Sequence, residues 1–594
     1  MRTPLRTALR LALTGCLGLA ALAASATAAE PEKVLPDSTL FFFKVKDVAE
    51  LRDSFGKSQF GQMLSDPALK PLKDSIAEKV DQGSKEVKAK LGVTLGELLS
   101  LPQGPASLAV LSKNDPKIPV SLLITADAGK NEKLMTDVMM KSTKQAEGAN
   151  AKVGTESFKG LTLHIVQPPK DGDKPNPPLV WTNTGSVFHL CSDLDMLKDC
   201  LSHADGRSDA LASVESFAKA RTKLGTEAPV SWFLDINKAI KLLIKAGQAA
   251  QAAGGNNANA AQNPEGLLQI TGLNGLKAAS GTFTFNTGPY DSLSKVYFLA
   301  PAPTQGVLKM FAMPQASLRP EPWVPATVST YQTLSWDLDG AYNALNELVN
   351  LFQPGMLNLL EQQMVGANGG EPISLQKDIF GPLGDRLTLV SDFKKPAGPD
   401  SQRLLFGVAL EDAKAFGNTL NKLIGMAGGA PAKREFQGTT IYDFKLPEMP
   451  NAGNGANNNP FKSGVASMAI AKDTLYVASE PALLESALRG GGTTLADDPK
   501  FQAIAKQIPA KTSSLTFTKA EEQARVTYEM LKNGDFEKQL KAGPNGPDLA
   551  KIFDKLKLPD FSVFAKYLSD GGGYGLMEDD GVTFTTFSLR KANP

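Results

Sequence analysis

The chain has 594 residues, 63 of them Lys or Arg and 62 Asp or Glu, with 42% hydrophobic and 21% charged residues. This composition describes an ordinary folded protein and excludes a disordered chain, a membrane-embedded one and a strongly basic nucleic-acid binder. The length exceeds what one hydrophobic core holds, so two or more domains are expected.

At the N-terminus, Arg2, Arg6 and Arg10 precede an apolar run over residues 11–24 and the small-residue triplet Ala26-Thr27-Ala28. The pattern predicts a cleavable secretory signal over residues 1–28, cut after Ala28 or one residue later, and hence a periplasmic or cell-surface location. The run is too short for a span of roughly 20 apolar residues and ends before Glu30 and Pro31. Leu13-Thr14-Gly15-Cys16 fits a lipobox, but lipidation at Cys16 would leave the hydrophobic stretch from Leu17 to Ala24 on the mature chain, so it is the weaker alternative. Removing the signal's three arginines leaves 60 basic against 62 acidic residues, a net charge near −2, which predicts no nucleic-acid partner. No later segment has the length and hydropathy of a transmembrane helix. Only Cys191 and Cys200 remain after cleavage. Nine positions apart in an oxidising compartment, they are candidates for a disulfide.

Farther along, the chain repeats itself. Val187 to Ser192 followed by Leu194 to Leu201 is matched by Thr474 to Ser479 followed by Pro481 to Leu488, each an apolar strand, a serine turn and a short helix. Leu211, Ala212 and Phe217 are echoed by Leu495, Ala496 and Phe501, and strands at 230–234 and 513–517 come next. Upstream, strands at 40–45 and 330–336, strand–helix passages at 120–144 and 404–426 and hairpins at 156–166 and 435–444 keep the same order. Alternating runs such as Gly281-Thr282-Phe283-Thr284-Phe285 predict half-buried strands, and strands that follow one another without a helix predict antiparallel pairing. The expectation is therefore an α+β protein of two similar tandem domains, each a largely antiparallel sheet packed with helices. The first spans 29–305, a Pro-rich connector 306–325 and the second 326–594. Segments 168–178, 254–264 and 450–460, rich in Gly, Asn, Ala and Pro, read as surface insertions.

Chemistry-bearing motifs are absent. No His-Glu-x-x-His, Gly-x-Ser-x-Gly or phosphate-cradling glycine loop occurs. Of the three histidines, His164 and His189 stand where the other half has Tyr442 and Tyr476, so they read as aromatic-sized strand side chains, and His203 falls in a turn. Asp337 and Asp339 look like a carboxylate pair, but Asp47, Asn237 and Thr518 occupy comparable strand-to-helix junctions, which points to helix capping. Asp171 with Asp173, and Glu578 with Asp579 and Asp580, read as hairpin tips without calcium-loop spacing. The glycine runs 490–492 and 571–573 read as turns. No catalytic, cofactor-binding or metal-ligating set is identified.

The passage Leu35-Pro36-Asp37-Ser38-Thr39-Leu40-Phe41-Phe42-Phe43, with Val48 to Leu51 and Phe60 to Leu64, resembles an uncharacterised group of large exported bacterial proteins carrying a domain of unknown function. The strand–serine–helix passages at 187–201 and 474–488 resemble the same group. The resemblance implies export and the fold class, and no activity or ligand. The function expected is a non-enzymatic envelope protein that binds an unidentified envelope or extracellular partner or has a structural role. The alternative is a hydrolase of envelope polymers acting through Asp or Glu residues outside any local motif.

Overall fold

A computed structural model of the chain describes residues 30–77, 88, 93–113, 115, 118–169, 176–252, 264–364, 372–396, 398, 401–426, 431–446, 464–541, 550, 553 and 556–591. The signal segment with Cys16 and Ala28, the Asp171–Asp173 pair and most of the three insertions lie outside them. The protein is a mixed helix-and-sheet structure, 41% helical and 32% strand, with extensive antiparallel sheet. Backbone contacts divide it into two compact units: 1–65, 77–264 and 276–300 form the first, and 66–76, 265–275 and 301–594 the second.

The first unit contains β1 (Thr39–Val45), β2 (Ala106–Ser112), β3 (Val120–Asp127), β4 (Lys152–Phe158), β5 (Leu161–Gln167), β6 (Leu179–Thr184), β7 (Val187–Cys191), β8 (Val230–Asp235), β9 (Ala278–Thr287) and β10 (Tyr290–Leu299). All pairings are antiparallel, in the order β4-β5-β6-β7-β3-β2-β1-β8-β9-β10. Lys159 and Gly160, both at positive φ (51° and 78°), form the two-residue turn between β4 and β5, the backbone twist that a tight hairpin requires.

The second unit contains β11 (Thr330–Ser335), β12 (Leu383–Phe393), β13 (Gln402–Leu410), β14 (Ala432–Phe436), β15 (Thr439–Lys445), β16 (Val465–Ala471), β17 (Thr474–Ala478), β18 (Ser514–Thr518), β19 (Gly571–Glu578) and β20 (Gly581–Leu589). Its antiparallel order is β14-β15-β16-β17-β13-β12-β11-β18-β19-β20. Strand for strand, this is the order of the first unit.

Local chemistry agrees with the topology. Ser192 Oγ accepts the Leu122 amide at 2.8 Å, and Ser479 Oγ accepts the Leu404 amide at 2.8 Å, so both serine turns latch β7 and β17 to their neighbours. Phe217, on the helix Glu215–Leu224, packs edge-on against Phe42 and Phe233 at 6.1 and 5.1 Å. Phe501, on Pro499–Ala505, packs the same way against Tyr331 and Phe517 at 6.4 and 5.5 Å. Such a triad joins one helix to two central strands, and each edge-to-face pair adds roughly 0.5–1.5 kcal/mol to the area it buries.

The residues expected to connect two domains, 306–325, pack into the second unit. They include the short helix Gly306–Phe311 and the wholly buried Val324. No helix among the described residues is long and apolar enough to cross a membrane.

Candidate ligand cavity

The first unit holds a partly open cavity of about 820 Å³ between one face of its sheet, the helices Leu194–Ser202 and Glu215–Leu224, and the single turn Pro31–Val34. Ligand-binding clefts typically measure ~300–1,000 Å³. Antiparallel register builds its floor from two cross-strand rows. The inner row, with Phe233, Phe42 and Leu123, is apolar and continues into Phe217 and Leu224 on the covering helix. The next row reads Thr282, Ser231, Lys44, Ser107, Thr125 and His189 across β9, β8, β1, β2, β3 and β7. Alternation puts both rows on one face because positions two apart along each strand point the same way.

The polar row is bonded within itself and to neighbouring β6. Ser107 Oγ and Thr125 Oγ1 lie 2.7 Å apart, and His189 Nε2 is 2.9 Å from Thr184 Oγ1. Burial pulls the His189 imidazole down to about 4, so it is neutral at pH 7. The cavity reaches its ring, which leaves it only partly shielded from solvent.

The covering turn is held by an ion cluster. Glu32 is 1% exposed, and both of its carboxylate oxygens accept from Lys44 Nζ at 3.0 Å while Arg221 also donates to Oε1. Burial pushes the Lys44 ammonium below the ordinary lysine range, with nearby Glu30 opposing the shift. The backbone ties the turn down further, since the Leu211 amide donates to Leu35 O at 2.8 Å and the Arg207 amide to Lys33 O at 3.1 Å. Lys46 and Glu227 pair beside the cavity.

The residues singled out in the sequence scatter. His189 lines the cavity, whereas His164 stacks on Trp181 with ring centroids 4.0 Å apart, and His203 Nδ1 is 2.8 Å from the Asp199 carbonyl. Cys191 and Cys200 are buried in one apolar cluster and carry free thiols, pushed up by burial to about 11 and 12. Asp337 caps its helix by accepting the Gly340 amide at 2.7 Å, and Asp47 does the same for Glu50 at 2.9 Å. Asn237 and Thr518 are not the caps expected. Asp235, the last residue of β8, accepts the Lys238 amide at 2.9 Å and so starts the helix before Asn237, while the Ala520 amide after Thr518 donates to Asp570 at 3.2 Å. Asp339 accepts from Asn343 at 3.1 Å on the surface. Gly490 and Gly491 end a helix at positive φ, and Asp579 and Asp580 form the β19–β20 hairpin tip. The 571–573 glycines lie within β19, where a Cβ on Gly572 would meet Ile504 at 2.2 Å; close packing, not a turn, demands them. No group of three or more His, Cys, Asp or Glu side chains suited to a metal ion occurs among the described residues.

Glu32, Lys44 and Val34 escape a search for catalytic motifs. Glu32 and Val34 carry one sequence signal, since Pro31-Glu32-Lys33-Val34-Leu35-Pro36 is similar to Pro320-Glu321-Pro322-Trp323-Val324-Pro325, whereas Lys44 carries none. Pro36 and Pro325 make matching isolated bridges to Ala210 and Thr494.

No protein-family model matches the chain, and no curated protein matches it. A solved chain described as crystal form III of TP0453 aligns over 48% of this chain and 85% of its own length, at 8% identity and a TM-score of 0.23. A likeness that faint carries no argument about fold or function.

Proposed function

We propose that this chain is an exported, non-enzymatic binding protein of the bacterial envelope, related to the uncharacterised exported group it resembles. In this reading its two units descend from one duplicated α+β domain, and the first holds a small ligand in its cavity. The observation that carries the reading is the cavity itself: about 820 Å³, an apolar inner row beside a row of small hydroxyls, and a lid turn pinned by a buried carboxylate. Such a lining favours an amphipathic molecule, whose apolar part meets the partly exposed Val34, Val187 and Leu201 above the buried phenylalanines and whose polar part meets Thr125, Ser231 and Lys44. Shared strand order and the matched serine turns support the duplication.

The test is native mass spectrometry of the chain purified from an envelope extract, with the mature N-terminus read from the same sample. The expected result is cleavage near Ala28 and a co-purifying small molecule that is lost on unfolding. A lipid-modified Cys16 would overturn the untethered form, and specific covalent labelling of one Ser, Asp or Glu by hydrolase probes would favour the enzyme reading instead.

A further inference from the structure

The two units carry different residues at the same places in the same frame. Register pairs Phe42 with Tyr331, Lys44 with Thr333, Ser107 with Thr388, Thr125 with Gly407 and His189 with Tyr476. The proline-bounded turns then pair Glu32 with Glu321 and Val34 with Trp323. Glu321 anchors its turn to the sheet as Glu32 does, accepting from Tyr331 Oη at 3.0 Å and Thr388 Oγ1 at 2.5 Å.

The side chain two positions beyond the glutamate differs. In the second unit the Trp323 ring lies edge-on to the buried Tyr476, centroids 5.2 Å apart at 86°, and directly over Gly407, where a Cβ would meet the ring at 2.6 Å. In the first unit Val34, Thr125 and His189 occupy those three positions, and all three line the cavity. Ser231 and Thr282 complete the trimming where the second unit has Leu515 and Tyr574. One frame thus carries its own indole in one copy and an open cavity in the other.

We infer that the first unit's cavity accepts a planar aromatic ring of about indole size from its ligand, seated between Val34, Thr125 and His189 where the second unit seats Trp323. This deepens the binding reading above and rests on it. The His189 imidazole faces the ring as Tyr476 faces Trp323, and the Ser107 and Thr125 hydroxyls and Lys44 meet a polar substituent on it.

The experiment uses the full mature chain with two probes, 5-fluoroindole followed by ¹⁹F NMR and decanoate followed by calorimetry. 5-Fluoroindole is expected to bind saturably at one site. Val34→Trp combined with Thr125→Gly, which copies the second unit's plug, is expected to weaken it at least tenfold with no fall in Tm. Ser231→Leu, which narrows the same floor by a single change, is expected to weaken it too and serves if the double variant fails to fold. 5-Fluoroindole binding unaffected by these variants would overturn the inference. Saturable decanoate binding without 5-fluoroindole binding would overturn the aromatic assignment and leave the ligand-cavity reading standing. Binding of neither probe, with nothing co-purifying, would overturn both.

Discussion

Replacing Glu32 by Gln tests the device that closes the cavity. The side chain is 1% exposed and is shared by Lys44 and Arg221, whose own side chains are 15% and 26% exposed. Arg221 reaches solvent and also lies near Glu227, so it has other means of compensation. Lys44 keeps the field of nearby Glu30 and Glu227 but loses the carboxylate that accepts both of its hydrogen bonds, so its ammonium stays desolvated with a weaker partner. Removing one partner of a buried pair costs about 3–5 kcal/mol. An upper bound comes from deprotonation, since neutralising a lysine at pH 7 from an ordinary pKa of about 10.4 costs roughly 5 kcal/mol. A loss of about 3–5 kcal/mol should lower the first unit's Tm by roughly 6–20 °C, taking 2–4 °C per kcal/mol for a unit of this size. The pH dependence has a definite sign. Without the carboxylate, the folded-state pKa of Lys44 falls further below its unfolded value, so the unfolded chain binds more protons between the two. The variant's stability should therefore rise with pH toward 10, narrowing its gap to the wild type. Calorimetric melts at pH 7, 8.5 and 10 measure this, with Lys44→Met added to Glu32→Gln expected to recover much of the loss. A deficit under about 1 kcal/mol at pH 7, or a gap independent of pH, would refute the assignment of Glu32 as the anchor.

His189, depressed to about 4 against an ordinary value of 6.5, contributes stability that is fully present above about pH 6.5 and lost as pH falls toward 4. The loss is at most about 3 kcal/mol, and smaller because the cavity admits water to the ring, so urea melts of wild type and His189→Phe should diverge across that window. Trp323→Ala should destabilise the second unit by about 3–5 kcal/mol in the same assay. Gly407→Ala, whose Cβ would meet the Trp323 ring at 2.6 Å, should be destabilising alone but add little further loss in a chain already carrying Trp323→Val. Cys191 and Cys200, buried with thiols near 11 and 12, should resist iodoacetamide in the folded chain and react promptly in urea, as peptide mass mapping would show.

Much of the fold was legible because its causes are local. Two-residue alternation marked β9 at 281–285, the serine turns stood at Ser192 and Ser479, and Phe217 and Phe501 could be matched by position alone, although each covers its sheet only through long-range packing. Helix starts are less legible. Asn237 has the right chemistry for a cap, but β8 ends two residues earlier and Asp235 already supplies the oxygen. Likewise 306–325 looks like a linker by composition, yet Trp323 and Val324 are buried in the second unit.

The candidate site was not legible. Val34, Lys44, Ser107, Thr125, His189, Phe217 and Ser231 are spread over nearly 200 positions and none belongs to a motif. Composition and periodicity by themselves determined the α+β class and the recurring strand, serine turn and helix at 187–201 and 474–488, because hydrophobic alternation and turn chemistry act between near neighbours. Only the tertiary structure decided that Lys44, Ser107, Thr125 and His189 stand in one cross-strand row, because strand order is set by long-range pairing. The same register turns Val34 and Trp323, two apolar residues in a repeated proline-bounded turn, into the difference between a cavity and a filled core.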